Sequence, residues 1–239
     1  MENTNIKPLY QALIYIEENE SVKADFFGRW GKSASRGIIG KMEAMGLVAR
    51  VEKDSATYFR LSDEGYRYIN STLDSLHEEV LHWDNKWTLV WFSIPENNRK
   101  FRDKFRRYLE SLGLKPVLNS LWITPLNLKD SILKYAIDNK IISNVAVVYT
   151  ENISGLTNDS ILSTWDFSRT RCDLEAFIEE GQIFIQNSQN SSRINCKLMI
   201  FRYALILNSE PKLPIELFPS DWPRYRADQI YKKIRNLIN

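Results

Sequence analysis

The stretch SRGIIGKMEAMGLVAR, Ser35 to Arg50, decides how the first third of the chain is read. Ile38, Met42 and Met45 recur at helical spacing and predict a helix with those three residues inward. Gly46 is its stop signal, and Leu47 to Glu52 then reads as a strand. Yet the helix holds Gly37 and Gly40, each costing about 1 kcal/mol relative to alanine in a helix interior. With Ile38 and Met42 inward, both glycines fall on the outer or flanking side. A missing Cβ there lets the helix lie close to base edges or phosphates, between Arg36 and Lys41, or close to a neighbouring helix.

The flanks extend the pattern. Leu9, Leu13 and Ile16 predict a first helix, with Pro8 in its first turn. SVKADFFGRWG predicts a short second helix burying Val22, Phe26 and Trp30. Thr57 to Leu61 pairs with Leu47 to Glu52 as a hairpin around KDSA. Ser62 then caps a further helix, with Asp63 and Glu64 in its first turn. Helices and a hairpin in this order describe a winged helix-turn-helix over residues 1–83.

A break follows near LHWDN. KWTLVWFSI reads as a strand apolar on both faces, so both faces are expected to be covered. The next helix is expected to bury Phe101, Phe105, Tyr108 and Leu112. Strands at PVL and LWIT, a helix through KDSILKYAIDNK and a strand at NVAVVYT complete a βαββαβ unit, the ferredoxin-like order, over 84–153. After the polar linker ENISGLTNDS, residues 154–239 read as a mostly helical C-terminal domain. Its helices are Phe167 to Gln186, Arg193 to Leu207 and Pro223 to Ile238, separated by NSQNSS and by the proline-rich SEPKLPIELFPSDWP. The expected class is α+β.

The 239 residues are 44% hydrophobic and 26% charged, which fits a folded rather than a disordered chain. With a net charge of +2, any basic surface has to be local. Cys172 and Cys196 form no C-x-x-C pattern and are expected to be small core residues. His77 and His82, five apart, do not share a helix face, so no metal site is expected. The sequence contains no G-x-S-x-G, P-loop or G-x-G-x-x-G, no catalytic constellation assembles, and no cofactor is expected. MENTNIKPLY lacks the features of a signal peptide, and NVAVVY and YALIL are too short to span a bilayer. A cytoplasmic setting without a membrane partner is expected.

Charge is concentrated in two places. From Arg29 to Arg60 there are seven basic and three acidic residues, a net of +4, within a first 83 residues that net −3. Phosphate contact requires placement of this kind more than overall charge. From Arg99 to Lys115 there are seven basic and two acidic residues, a net of +5. That helix reads as a second anion-binding surface or as an ordinary solvated face.

Together these pieces resemble the PaaX family, transcriptional repressors of phenylacetate degradation. In the stretch quoted above, Arg36, Lys41, Met42 and Gly46 match the arginine, later basic position, leucine and glycine of a VRTAxSRLxxxG-like pattern. Gly37 stands where the family often has threonine, and Gly40 where it has a small polar residue. Trp87, Leu89, Val90, Ser93, Pro95, Arg99 and Arg102 match a WxLV…SxP…RxxR-like pattern, followed by Leu121, Trp122, Ile123 and Pro125. Pro211, Leu213, Pro214, Leu217, Pro219, Asp221, Trp222 and Pro223 match a DPxLPxxLLPxDWPG-like ending, with Glu210 for its aspartate and Arg224 for its glycine.

The resemblance implies a homodimeric repressor on an inverted-repeat operator in double-stranded DNA, released by a coenzyme A thioester such as phenylacetyl-CoA. The DNA-contacting residues expected are Lys32, Ser33, Ser35, Arg36, Gly37, Gly40, Lys41, Arg50, Lys53 and Arg60. The effector is expected on Arg99, Arg102 and Arg106, with Trp222 as an aromatic wall. The central domain is also similar to small CRISPR-associated ferredoxin-like nucleases, so a metal-dependent nuclease is one rival reading. In those, an aspartate ending the first strand binds a divalent metal; Ser93 stands there instead. A DNA-binding protein without an effector is the other rival.

Overall fold

The structure is a computed structural model, and it describes residues 6–151, 153–187 and 192–238. The N-terminal stretch MENTNIKPLY, expected to lack signal features, the linker around residue 152 and most of the loop NSQNSS lie partly outside the described residues.

The architecture is mixed α and β, with two small sheets and many helices. The chain forms two compact units, 1–78 with 170–210 and 223–239, and 79–169 with 211–222. In the first, α1 (Pro8–Asn19) precedes the short β1 (Val22–Lys23) and a 3₁₀ helix, Ala24–Trp30. There follow α2 (Lys32–Ala44), β2 (Val48–Lys53), β3 (Ala56–Leu61) and α3 (Asp63–Leu73). The three strands form an antiparallel sheet in the order β1-β3-β2. The hairpin turns on Asp54 and Ser55, both at positive φ, a backbone twist that suits two-residue hairpins. Ser62 caps α3 by accepting a hydrogen bond from the Gly65 N–H at 3.0 Å.

Two expectations change in this region. The segment before α2 is a strand followed by a 3₁₀ helix rather than one helix. Val22 is buried as expected, but the buried residue of the 3₁₀ helix is Phe27, and Phe26 and Trp30 pack around that ring at 5.5 and 6.1 Å. Met45 lies past the end of α2 and is exposed, because the helix ends at Ala44 before that side chain reaches the core.

The second unit carries β4 (Trp87–Phe92), α4 (Arg99–Ser111), β5 (Lys115–Leu118), β6 (Leu121–Thr124), α5 (Lys129–Asp138) and β7 (Val145–Thr150). Its antiparallel sheet has the order β5-β6-β4-β7, so the first strand sits between the third and the last. Alternation separates two apolar clusters, one on each face. Val90, Phe92 and Trp122 join Phe105 and Leu109 of α4 and Ile132 and Ala136 of α5. Trp87 and Ile123, on the other face, join Trp165, Leu213 and Leu217. That second face is covered only in part, since Trp91 is 62% exposed. The burial expected for Phe101 also fails. It lies in the first turn of α4, ahead of the Phe105–Leu109 seam, and is exposed.

Short helix α6 (Asn158–Leu162) follows, started by a capping box on Thr157. The last long helices are α7 (Ser168–Gln186), α8 (Arg193–Ser209) and α9 (Arg224–Asn236), within a residue or two of the expected bounds. Their packing corrects the linear division into 1–83, 84–153 and 154–239. Helix α8 is buried on almost every side, and Leu198 and Phe201 belong to the same core as Leu13, Phe27 and Met42. A helix apolar all round has to be surrounded, and α1, α3 and α9 surround this one. Lys197 pairs with Glu17 at 2.7 Å and Glu18 at 2.5 Å, fastening α8 to α1. The buried Arg202 pairs with Glu180 of α7, as a charge removed from water requires. Of the cysteines, Cys196 is buried as expected, but Cys172 is exposed on α7.

Candidate nucleic-acid interface

Helix α2 is fixed from its inner side. Met42 is fully buried, and Ile38 and Ile39 are half-buried against the same core. Ser35 also points inward. Its hydroxyl shares its one proton between the carbonyls of Phe27 at 2.5 Å and Gly31 at 2.6 Å, tying the helix start to the 3₁₀ helix. Ser35 is therefore a structural anchor and not a surface contact, which corrects its place in the expected DNA-binding set.

The helical repeat then places Ser33, Arg36, Gly37, Gly40 and Lys41 on the opposite face, where all five are exposed. A Cβ built on Gly37 or Gly40 would meet nothing within 4 Å. Close packing by a neighbouring helix therefore does not account for these two glycines. Arg36 and Lys41 flank the bare strip. Among the described residues, neither side chain has a hydrogen bond or ion pair with the rest of the chain, and the same holds for the side chains of Lys32, Lys53 and Arg60.

The hairpin divides the remaining expected contacts. Arg50 faces Phe59, and Arg60 faces Ala49, so the two arginines project from opposite sides of the sheet. Arg50 lies on the α2 side, where it donates to Glu43 at 3.1 Å and sits 5.6 Å from the Phe59 ring centroid. Its charge is partly answered within the chain. Lys53 ends β2 beside the turn and is exposed.

The expected effector set does not assemble. Trp222 packs with Phe167 and Phe218 at 5.6 and 5.2 Å. Both phenylalanines join the Trp87–Ile123 cluster, whereas α4 lies on the other sheet face with Val90 and Trp122. The sheet thus stands between Trp222 and the basic helix. On α4, Arg102 donates to Glu96 at 2.5 Å, and Arg99 lies 3.7 Å from Asp103. Arg106 is exposed, with its guanidinium 5.9 Å from the Trp122 ring centroid. Sequence spacing missed Trp122 as the aromatic partner; its alternation with Ile123 was the signal that it faces α4.

At the end of β4, the Ser93 N–H donates to the Asn144 carbonyl, and the Asn144 amide donates back to the Ser93 carbonyl, both at 2.9 Å. Glu96, the nearest acid, is held by Arg102. Among the described residues, no group of three or more His, Cys, Asp or Glu is arranged for a metal ion. His82 instead bonds Glu216 at 2.8 Å. The Glu216 carboxyl is held below the usual range by His82, its own N–H and the Trp83 N–H. No helix among the described residues is long and apolar enough to cross a membrane.

With β4, α4, β5, β6, α5 and β7 in ferredoxin-like order, a family comparison bears directly on residues 81–162. They match the family described as PaaX protein central Cas2-like domain. Residues 81–162 are thus similar to a PaaX central domain. The PaaX resemblance seen in Trp87 to Pro125 thus holds for this region, and the Cas2-like fold agrees with the ferredoxin-like expectation. Among solved structures, the uncharacterized protein Rv0674 from Mycobacterium tuberculosis is similar at 16% identity and a TM-score of 0.45, over 86% of this chain and 81% of that one. No curated protein matches the chain.

Proposed function

We propose that this protein is a PaaX-like transcriptional regulator that binds double-stranded DNA through α2. On this reading α1, the 3₁₀ helix, α2 and the β2–β3 hairpin form a winged helix-turn-helix. Helix α2 enters the major groove and the hairpin acts as the wing. The observation that carries the proposal is the outer face of α2, where Gly37 and Gly40 open onto empty space between two unpaired cations. A bare helix surface can approach base edges, an arginine beside it can read guanine, and a lysine can hold phosphate. Lys32 and Lys53 supply further phosphate contacts, and Arg60 is assigned to the far side of the hairpin.

The PaaX likeness of the central domain supports extending this reading to repression by a homodimer on an inverted repeat, with release by an acyl-CoA compound. Half-sites about 34–36 Å apart, or a multiple of that, are expected for two recognition helices related by a two-fold axis. The test is selection of bound fragments from random duplexes, followed by fluorescence anisotropy and light scattering of the complex. Enrichment of an inverted repeat bound by two chains supports the proposal. Absence of any enriched sequence, or one chain per site, overturns it. Repeating the selection with phenylacetyl-CoA and with free coenzyme A separates an effector-released repressor from a DNA-binding protein without an effector. The same duplexes incubated with magnesium or manganese test the nuclease rival, which requires cleavage.

A further inference from the structure

The central unit contains two buried polar atoms whose donors lack acceptors, Trp122 Nε1 and Arg102 Nε. Trp122 is 1% exposed, so its indole N–H cannot turn to water. Asp103 approaches Arg102 Nε only to 3.8 Å, beyond hydrogen-bond distance, while Glu96 takes the Nη1 side. A buried donor without a partner is costly, so two in one unit call for an explanation. Arg102 and Arg106 are four residues apart and so share a flank of α4, and Arg106 places its guanidinium over the Trp122 ring. From Glu96 to Arg107 there are six basic and two acidic residues, a net of +4.

We propose that Arg102, Arg106 and Trp122 form an anion subsite that takes a phosphate or carboxylate group. The oxyanion accepts from the indole N–H and from Arg106, whose exposed, flexible side chain swings to admit it. Arg102 contributes charge and its Nε donor. Phosphate suits the arginines best, because guanidinium and phosphate match in planar, paired hydrogen bonds. The phosphate can come from a small phosphorylated effector or from a DNA backbone. This deepens the effector half of the proposed function, and its failure leaves the α2 face untouched.

The experiment is a proton–nitrogen spectrum of the full chain, in which Trp122→Phe identifies one indole resonance. Inorganic pyrophosphate is titrated against sodium chloride at matched ionic strength. The expected result is a saturable shift of the Trp122 indole with the other indoles still, and an affinity weakened about tenfold by Arg106→Gln, the value of one charge-assisted contact. Arg106 is exposed, so that variant tests the site without disturbing the core. A second arm adds the selected duplex. A shift with pyrophosphate alone assigns the site to a small ligand, and one that appears only with duplex assigns it to the DNA backbone. No saturable shift in either arm, a common drift of all indoles, or equal affinity in Arg106→Gln overturns the subsite and leaves a buried water as the donors' partner.

Discussion

Two pairs of helical glycines in this chain look alike in sequence and do opposite things. Gly65 of α3 and Gly181 of α7 are packing glycines. A Cβ on Gly65 would fall 2.1 Å from the Leu47 carbonyl oxygen, and one on Gly181 would fall 2.3 Å from Ile230 Cγ2. Gly37 and Gly40 of α2 face open space on an exposed surface. The first pair omits a side chain because the protein already fills that volume. The second pair omits it where the protein has nothing, so folding alone gives no reason for the cost. That difference makes α2 the candidate surface, more than its charge does.

The largest expected effect is at Gly65. Gly65→Ala forces backbone against backbone, and the Leu47 carbonyl has little freedom to move. A loss of about 3 kcal/mol is expected, read as a lower urea midpoint, since overpacking of this kind costs about 1–3 kcal/mol and backbone cannot change rotamer. Unchanged stability would break the comparison at its firmest point. Next is Arg36→Ala, expected to weaken specific DNA binding by about 1–3 kcal/mol and to relax preference at one base pair. Lys41→Ala is its counterpart. It should weaken binding evenly across sequences and lower the salt slope by about 1. Anisotropy on matched and mismatched duplexes reads both, and full affinity in both variants would remove α2 from the interface.

Gly181→Ala should cost less than Gly65→Ala, about 1 kcal/mol in the urea midpoint. The obstructing atom is a side-chain methyl on Ile230, and the alanine regains helix propensity. The sharpest test has the smallest expected effect on stability. Gly37→Ala and Gly40→Ala meet no obstacle and should each stabilise the fold by up to about 1 kcal/mol. If the bare strip exists to approach DNA, the same variants should bind the selected duplex several-fold more weakly. Greater stability with unchanged DNA binding would show that the strip is not an approach surface.

Much of the local structure was legible. Helical periodicity gave α7, α8 and α9 nearly residue for residue, and the cap on α3 was visible in Ser62. The strand order of the central unit followed from βαββαβ, because short connections leave few ways to arrange four strands. The outward placement of Gly37 and Gly40 also followed from spacing, once Ile38 and Met42 were taken as inward. The direction of Ser35 is not legible in the sequence, because a small polar residue on a helix carries no mark of direction. Only its bonds to the Phe27 and Gly31 carbonyls reveal its role.

By itself, then, the sequence determined which segments are helix or strand and which face of each is apolar. Periodicity and caps are local properties, readable within a dozen residues. The tertiary structure decided which element covers each apolar face, because one apolar face accepts another without regard to distance along the chain. That is why α8, near the C-terminus, completes the core begun by α1, and why Trp222 packs across the sheet from α4. It also decided which glycines are crowded and which are bare, a matter of what stands opposite each missing side chain in space.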